Sequence, residues 1–113
     1  MSKEPIKILL IDDEVQFVDT LKDRLFLRGF DAAVAYNGED GLKKVKANPP
    51  DVIVLDLRMP GIDGFEVLRA VKKTNPEVQV IILTGHGGDA EEASAFRMGA
   101  YSFLRKPMDI DDL

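Results

Sequence analysis

The stretch Ile6-Lys7-Ile8-Leu9-Leu10-Ile11-Asp12-Asp13-Glu14 decides the architecture. Its apolar part is rich in β-branched residues and does not alternate regularly with polar ones, which marks a strand buried on both faces. It ends in three consecutive acids. Two further runs have the same character, Val52 to Leu55 and Val78 to Leu83, and the first of them also runs into an acid, Asp56. Helical patterns lie between the runs. Residues 14–28 place Val18, Leu21 and Leu25 on one face and stop at Gly29, a natural left-handed cap. Gly64, Val67, Leu68 and Val71 recur at helical spacing and halt before Pro76. Residues 38–47 offer Leu42 and Val45 as anchors behind the capping residue Asn37. Residues 89–98 open with Asp89, Glu91 and Glu92, which suit the positive end of a helix, and close at Gly99. Their apolar face is mostly alanine, so this helix is predicted to be the most loosely held.

Two less uniformly apolar segments, Phe30 to Ala35 and Ala100 to Leu104, read as edge strands. Strand and helix therefore alternate five times with short connections, which predicts an α/β doubly wound parallel sheet covered on both faces. Placing the three most apolar strands at the centre gives the spatial order 2-1-3-4-5, the flavodoxin-like form of that fold, as a single domain over residues 1–113. Strands one and three are then neighbours. Winding reverses between them, so their carboxyl ends flank the crevice where such sheets bind ligands.

Composition narrows the chemistry. With 113 residues and 45% hydrophobic content, the chain suits one domain. The absence of cysteine excludes disulfides and thiolate metal sites, and the single histidine, His86, excludes zinc sites and triads that need several imidazoles or a supported base. Fifteen basic against 20 acidic residues give a net charge of -5, which predicts no direct binding of nucleic acid. No apolar run approaches a membrane span, and residues 1–5 lack the apolar stretch of a signal peptide, so a soluble cytoplasmic protein is expected.

Asp12, Asp13 and Glu14 end strand one, and Asp56 ends strand three. Taken singly, Asp13 reads as a helix cap and Asp56 as a turn former. Together they read differently. Two carboxylates about 5 Å apart repel by about 3 kcal/mol at an effective dielectric of 20, so several in one crevice call for a compensating charge. Mg²⁺, held by one or two carboxylates with a phosphate completing its shell, meets that need. Thr84-Gly85 ends strand four and Lys106-Pro107 ends strand five on the same edge. A hydroxyl and an ammonium there suit phosphoryl oxygens, and Gly85 leaves room for the group to enter.

This constellation resembles the receiver domain of two-component response regulators along the whole chain. The likeness rests on Asp12 and Asp13, on Asp56 with Met59-Pro60 and Gly64, on Thr84-Gly85 and on Lys106-Pro107. The resemblance implies that Asp56 accepts a phosphoryl group from a phosphohistidine of a sensor histidine kinase or phosphotransfer protein. It implies a Mg²⁺ site made by Asp12, Asp13, Asp56 and the backbone carbonyl of Arg58, with Lys106 and Thr84 on the phosphoryl oxygens. It also implies a switch in which Thr84 moves toward the phosphate and Phe103 turns inward, reshaping the face made by helix four and strand five. Many relatives carry tyrosine where Phe103 stands, so here the coupling lacks a hydroxyl. Arg58 and His86 occupy positions that tune phosphate lifetime in the family; both also read as solvated loop residues.

Such a domain is a signalling phosphoacceptor, not a turnover enzyme, and acts on a downstream protein or a fused effector domain. A dehalogenase-type phosphatase would need a second aspartate where Arg58 stands. A flavodoxin-like carrier would need hydroxyls and amides where Asp12, Asp13 and Glu14 stand. A docking module independent of phosphorylation leaves the acids, Thr84 and Lys106 without a purpose. A receiver continues past Lys106-Pro107 into a fifth helix, for which Asp109 to Leu113 supply barely one turn. The expectation is therefore a truncated fifth helix and an uncovered strip of sheet and first helix. A longer regulator or a homodimer would cover that strip.

Overall fold

The three apolar runs form the middle of the sheet as β1 (Lys7–Ile11), β3 (Val52–Leu55) and β4 (Gln79–Thr84), and the mixed segments form its edges as β2 (Asp31–Ala35) and β5 (Ser102–Arg105). All pairings are parallel and the order is β2-β1-β3-β4-β5. The structure is a computed structural model that describes residues 5–85 and 88–106. His86, Pro107 and the shortened fifth helix expected over 109–113 lie outside those residues.

Alternate residues of each central strand enter separate cores, as the two-residue period of a strand requires. Leu9, Ile11, Ile53, Leu55, Val80 and Ile82 pack with residues of the helices on one face. Ile8, Leu10, Val54 and Leu83 pack with Val18, Leu21 and Leu25 of α1 (Val15–Leu27) on the other. Helix α1 stops where Gly29 takes φ +89, a conformation that penalises any side chain. Its N-cap is Glu14, with no capping bond from the side chain, so neither Asp13 nor Glu14 serves the helix that way.

On the opposite face, α2 (Gly38–Ala47) has one large buried residue, Val45, with Leu42 only partly buried. Glycine does the remaining packing: a Cβ at Gly41 would fall 2.5 Å from Ile11 Cδ1, so the helix backbone lies directly on β1. Asn37 caps this helix by accepting a hydrogen bond from the Asp40 amide at 2.8 Å. Asp63 does the same for α3 (Gly64–Thr74) through the Glu66 amide at 3.0 Å. Helix α4 (Asp89–Arg97) buries Ala95 alone, in keeping with its alanine-rich face.

Strand boundaries differ from expectation, with β1 and β2 each beginning one residue later, at Lys7 and Asp31. β4 begins one residue later and extends through Thr84, because Thr84 still has a partner, Arg105, on β5. Ala100 and Tyr101 belong to the turn after α4: Gly99 takes φ +101, and the Ala100 amide bonds back to the Ala95 carbonyl. β5 therefore starts at Ser102.

Candidate functional site

The register of β1 against β3 pairs Ile11 with Leu55, so the next residues, Asp12 and Asp56, leave adjacent strands side by side. Both carboxylates are buried, Asp13 is exposed beside them, and one oxygen from each of the three lies within 4.8 Å of the others. The Asp56 amide donates to the Ile11 carbonyl at 3.0 Å, and the Glu14 amide donates to Asp12 Oδ1 at 2.9 Å. Backbone bonds thus hold both acids at the mouth of the crevice.

Lys106 reaches this cluster from the end of β5. Its amide donates to the Thr84 carbonyl at 3.0 Å, which ties the two strand ends together. Its ammonium donates to Asp12 Oδ2 at 2.7 Å and to Glu14 Oε1 at 2.6 Å, lies 3.8 Å from Asp56 Oδ2, and stands 4.5 Å from the centroid of the Phe17 ring. Burial alone would lower the lysine pKa, but the bonds to Asp12 and Glu14 and the charges of Asp12 and Asp56 together raise it above the ordinary value. Asp12 is pushed up as well. Burial is the largest cause, the Asp56 charge adds to it, and the Lys106 bond and Glu14 amide only partly offset it.

Asp56 Oδ1 is buried and has no hydrogen-bond partner among the described residues. Four carboxylates, those of Asp12, Asp13, Glu14 and Asp56, therefore face one ammonium, and an acceptor oxygen in their midst lacks a donor. Hard oxygen ligands with excess negative charge fit a hard divalent cation. The same opening would suit an anionic group whose charge such a cation neutralises.

Thr84 is fully buried at the last position of β4. A Cβ added at Gly85 would meet nothing closer than Lys106 Cβ at 4.0 Å, so the described residues leave room even for alanine there. Gly64 is different. A Cβ there would run into the Asp56 carbonyl and come within 2.6 Å of Leu57 Cα, while its amide donates to the Leu57 carbonyl at 2.8 Å. The absence of a side chain lets α3 begin directly against the residue that follows Asp56. Leu57 and Met59 are buried in the loop after β3, and Arg58 between them is exposed.

Phe103 is buried in the larger core. The Arg105 guanidinium carbon lies 5.2 Å from its ring centroid, and Arg105 also bonds Glu92 of α4 at 3.1 Å and approaches Asp89 at 3.8 Å. Asp12, Asp13, Asp56 and Lys106 thus converge as expected, with Thr84 at the neighbouring strand end. Sequence reasoning missed the roles of Glu14 and Phe17 around Lys106. The signal was faint, since Glu14 stands in the acid run but its partner is 92 residues away.

Comparison with known proteins agrees with this geometry. The chain is 36% identical over its whole length to the transcriptional regulatory protein GlrR of Escherichia coli (strain K12), of which it spans 26%. Across the first curated relatives that share falls between 26% and 55%. A receiver domain from Clostridium thermocellum is 38% identical with a TM-score of 0.88, covering 95% of this chain and 86% of that one. A response regulator from Burkholderia pseudomallei, solved with a phosphorylated aspartic acid, calcium ion and citrate, is 28% identical with a TM-score of 0.90, covering 95% of this chain and 63% of that one. The family model of the response regulator receiver domain matches residues 8–113. On this match, and on the acids and lysine gathered at one edge of the sheet, the chain belongs to the response regulator receiver domain family.

Proposed function

We propose that residues 1–113 form one receiver domain in which Asp56 accepts a phosphoryl group from a phosphohistidine. The observation that carries this reading is the buried, unpartnered Oδ1 of Asp56 beside two further carboxylates and an ammonium. The phosphorylated aspartic acid and calcium ion of the Burkholderia pseudomallei relative support it. Asp12, Asp13, Asp56 and the Arg58 carbonyl would hold Mg²⁺. When bound, Mg²⁺ would supply positive charge against which both the acids and an incoming phosphoryl group can approach.

The chain's own residues do the rest. A carboxylate oxygen of Asp56 attacks phosphorus, the new O–P bond forms as the P–N bond breaks, and the bond pair returns to an imidazole already protonated on its other nitrogen, which leaves neutral. Lys106, already 3.8 Å from Asp56, turns to an oxygen of the transferred group. The Thr84 hydroxyl binds a second oxygen. Thr84 and Phe103 form the switch: movement of the hydroxyl toward the phosphate changes the space beside Phe103, and α4, held by Ala95 and by Arg105, responds. Arg58 and His86 would tune the lifetime of the acyl phosphate, Arg58 by lying over the site and obstructing water.

The domain acts as a phosphoacceptor rather than a turnover enzyme. It receives its signal from a sensor histidine kinase or phosphotransfer protein in the cytoplasm and passes it to a protein partner, a fused effector domain or a second copy of itself. None of the helices among the described residues is long and apolar enough to cross a membrane. The test is labelling by acetyl phosphate with Mg²⁺: Asp56→Asn abolishes it, and persistent stoichiometric labelling of that variant overturns the assignment.

A further inference from the structure

The Lys106 ammonium has three donors, and two of them are committed on the β1 side of the crevice. The bond to Asp12 is buried. The bond to Glu14, at 2.6 Å the shorter of the two, reaches out to a side chain that is 57% exposed. Asp56 receives neither: its Oδ2 stays 3.8 Å from the ammonium, beyond hydrogen-bond length. Phe17 lies close to the same ammonium, with its ring centroid 4.5 Å away. Glu14 also has no duty to its helix, because its side chain makes no capping bond.

We infer that Glu14 is a positioning residue that restrains Lys106 away from Asp56, so that release of this ion pair accompanies formation of the acyl phosphate. The inference rests on Asp56 being the phosphoacceptor. Asp12 holds the same ammonium, but it belongs to the acid cluster and is already placed to serve a cation there. Glu14 competes for Lys106 without being part of that cluster. Its pair is partly exposed, so its hold is that of a surface ion pair, a factor of about two to five in an equilibrium. A restraint of this size sets a rate without blocking the reaction.

The test is the rate of Asp56 phosphorylation by acetyl phosphate with Mg²⁺ in the wild type, in Glu14→Gln and Glu14→Ala, and in Glu39→Gln. Glu39 packs on Gly61 in the loop after β3, so its substitution removes one charge from the same edge of the sheet without touching Lys106. The expected result is a rate about two- to fivefold higher in both Glu14 variants than in Glu39→Gln. That gap should narrow as salt is raised, because the glutamate end of the pair is open to solvent and is screened while a packing change is not. Equal or slower rates in the Glu14 variants, a gain matched by Glu39→Gln, or a gap that high salt leaves unchanged overturns the restraint while leaving Asp56 as the acceptor. A wild type that is never labelled at Asp56 overturns the acceptor reading and the restraint with it.

Discussion

Asp56→Asn should stabilise the protein in the absence of divalent cations. Asp56 and Asp12 place carboxylate oxygens within 4.8 Å, a repulsion of about 3.5 kcal/mol at an effective dielectric of 20. The Lys106 ammonium, 3.8 Å from Asp56, returns about 4.4 kcal/mol on the same scale. These two nearly cancel. Asp13 adds a further repulsion that solvent weakens, and the buried Oδ1 without a partner costs about 1–3 kcal/mol. The balance is against the charge. A neutral carboxamide should therefore raise stability by about 1–2 kcal/mol, or the melting temperature by about 4–8 °C for a domain of this size.

The assay is urea and thermal unfolding in chelator and then in Mg²⁺. At a tenfold excess over its dissociation constant, Mg²⁺ should stabilise the wild type by about 1.4 kcal/mol. The variant, with one ligand weakened, should gain less. A variant destabilised by 1 kcal/mol or more in chelator would show that Lys106 outweighs the repulsion. The acids would then be balanced by Lys106 alone, with no excess charge for a cation to neutralise.

Three further outcomes follow from the same contacts. Lys106→Met leaves Asp12 buried without its cation and should cost about 2–4 kcal/mol at neutral pH, read by urea unfolding. The folded lysine has a raised pKa, so its contribution is complete below the ordinary lysine value and is lost as pH rises through the higher folded value; the variant should lack that alkaline loss. Gly64→Ala should cost about 1–3 kcal/mol, because the atoms it meets are backbone, whereas Gly85→Ala should unfold like the wild type within error. Arg105→Ala should quicken amide hydrogen exchange in α4 with less than about 1 kcal/mol lost globally, since its bond to Glu92 is partly exposed and its approach to Asp89 lies fully in solvent.

The central strands were legible because Ile8 to Ile11, Val52 to Leu55 and Val80 to Leu83 are apolar on both faces, and only a doubly covered sheet buries such runs. The meeting of Asp12 with Asp56 followed from strand order alone, since neighbouring parallel strands bring their carboxyl ends together. Helix α2 was harder to read. Its packing against β1 depends on Gly41, and a missing side chain leaves no mark in a hydrophobic pattern. The start of β5 was misplaced because Ala100 and Tyr101 look like strand residues, while the turn at Gly99 claims them. The Glu14 and Lys106 pair was invisible for another reason: it depends on side-chain reach across the crevice, which strand order does not specify.

Intact-mass measurement with peptide mapping, after incubation with acetyl phosphate and Mg²⁺, reads the site of phosphorylation and its dependence on the cation in one experiment. One phosphoryl group per chain is expected, mapped to Asp56, and none when Mg²⁺ is withheld. Label on another residue, or equal label at Asp56 without any divalent cation, would rule out Asp56 as a cation-dependent acceptor.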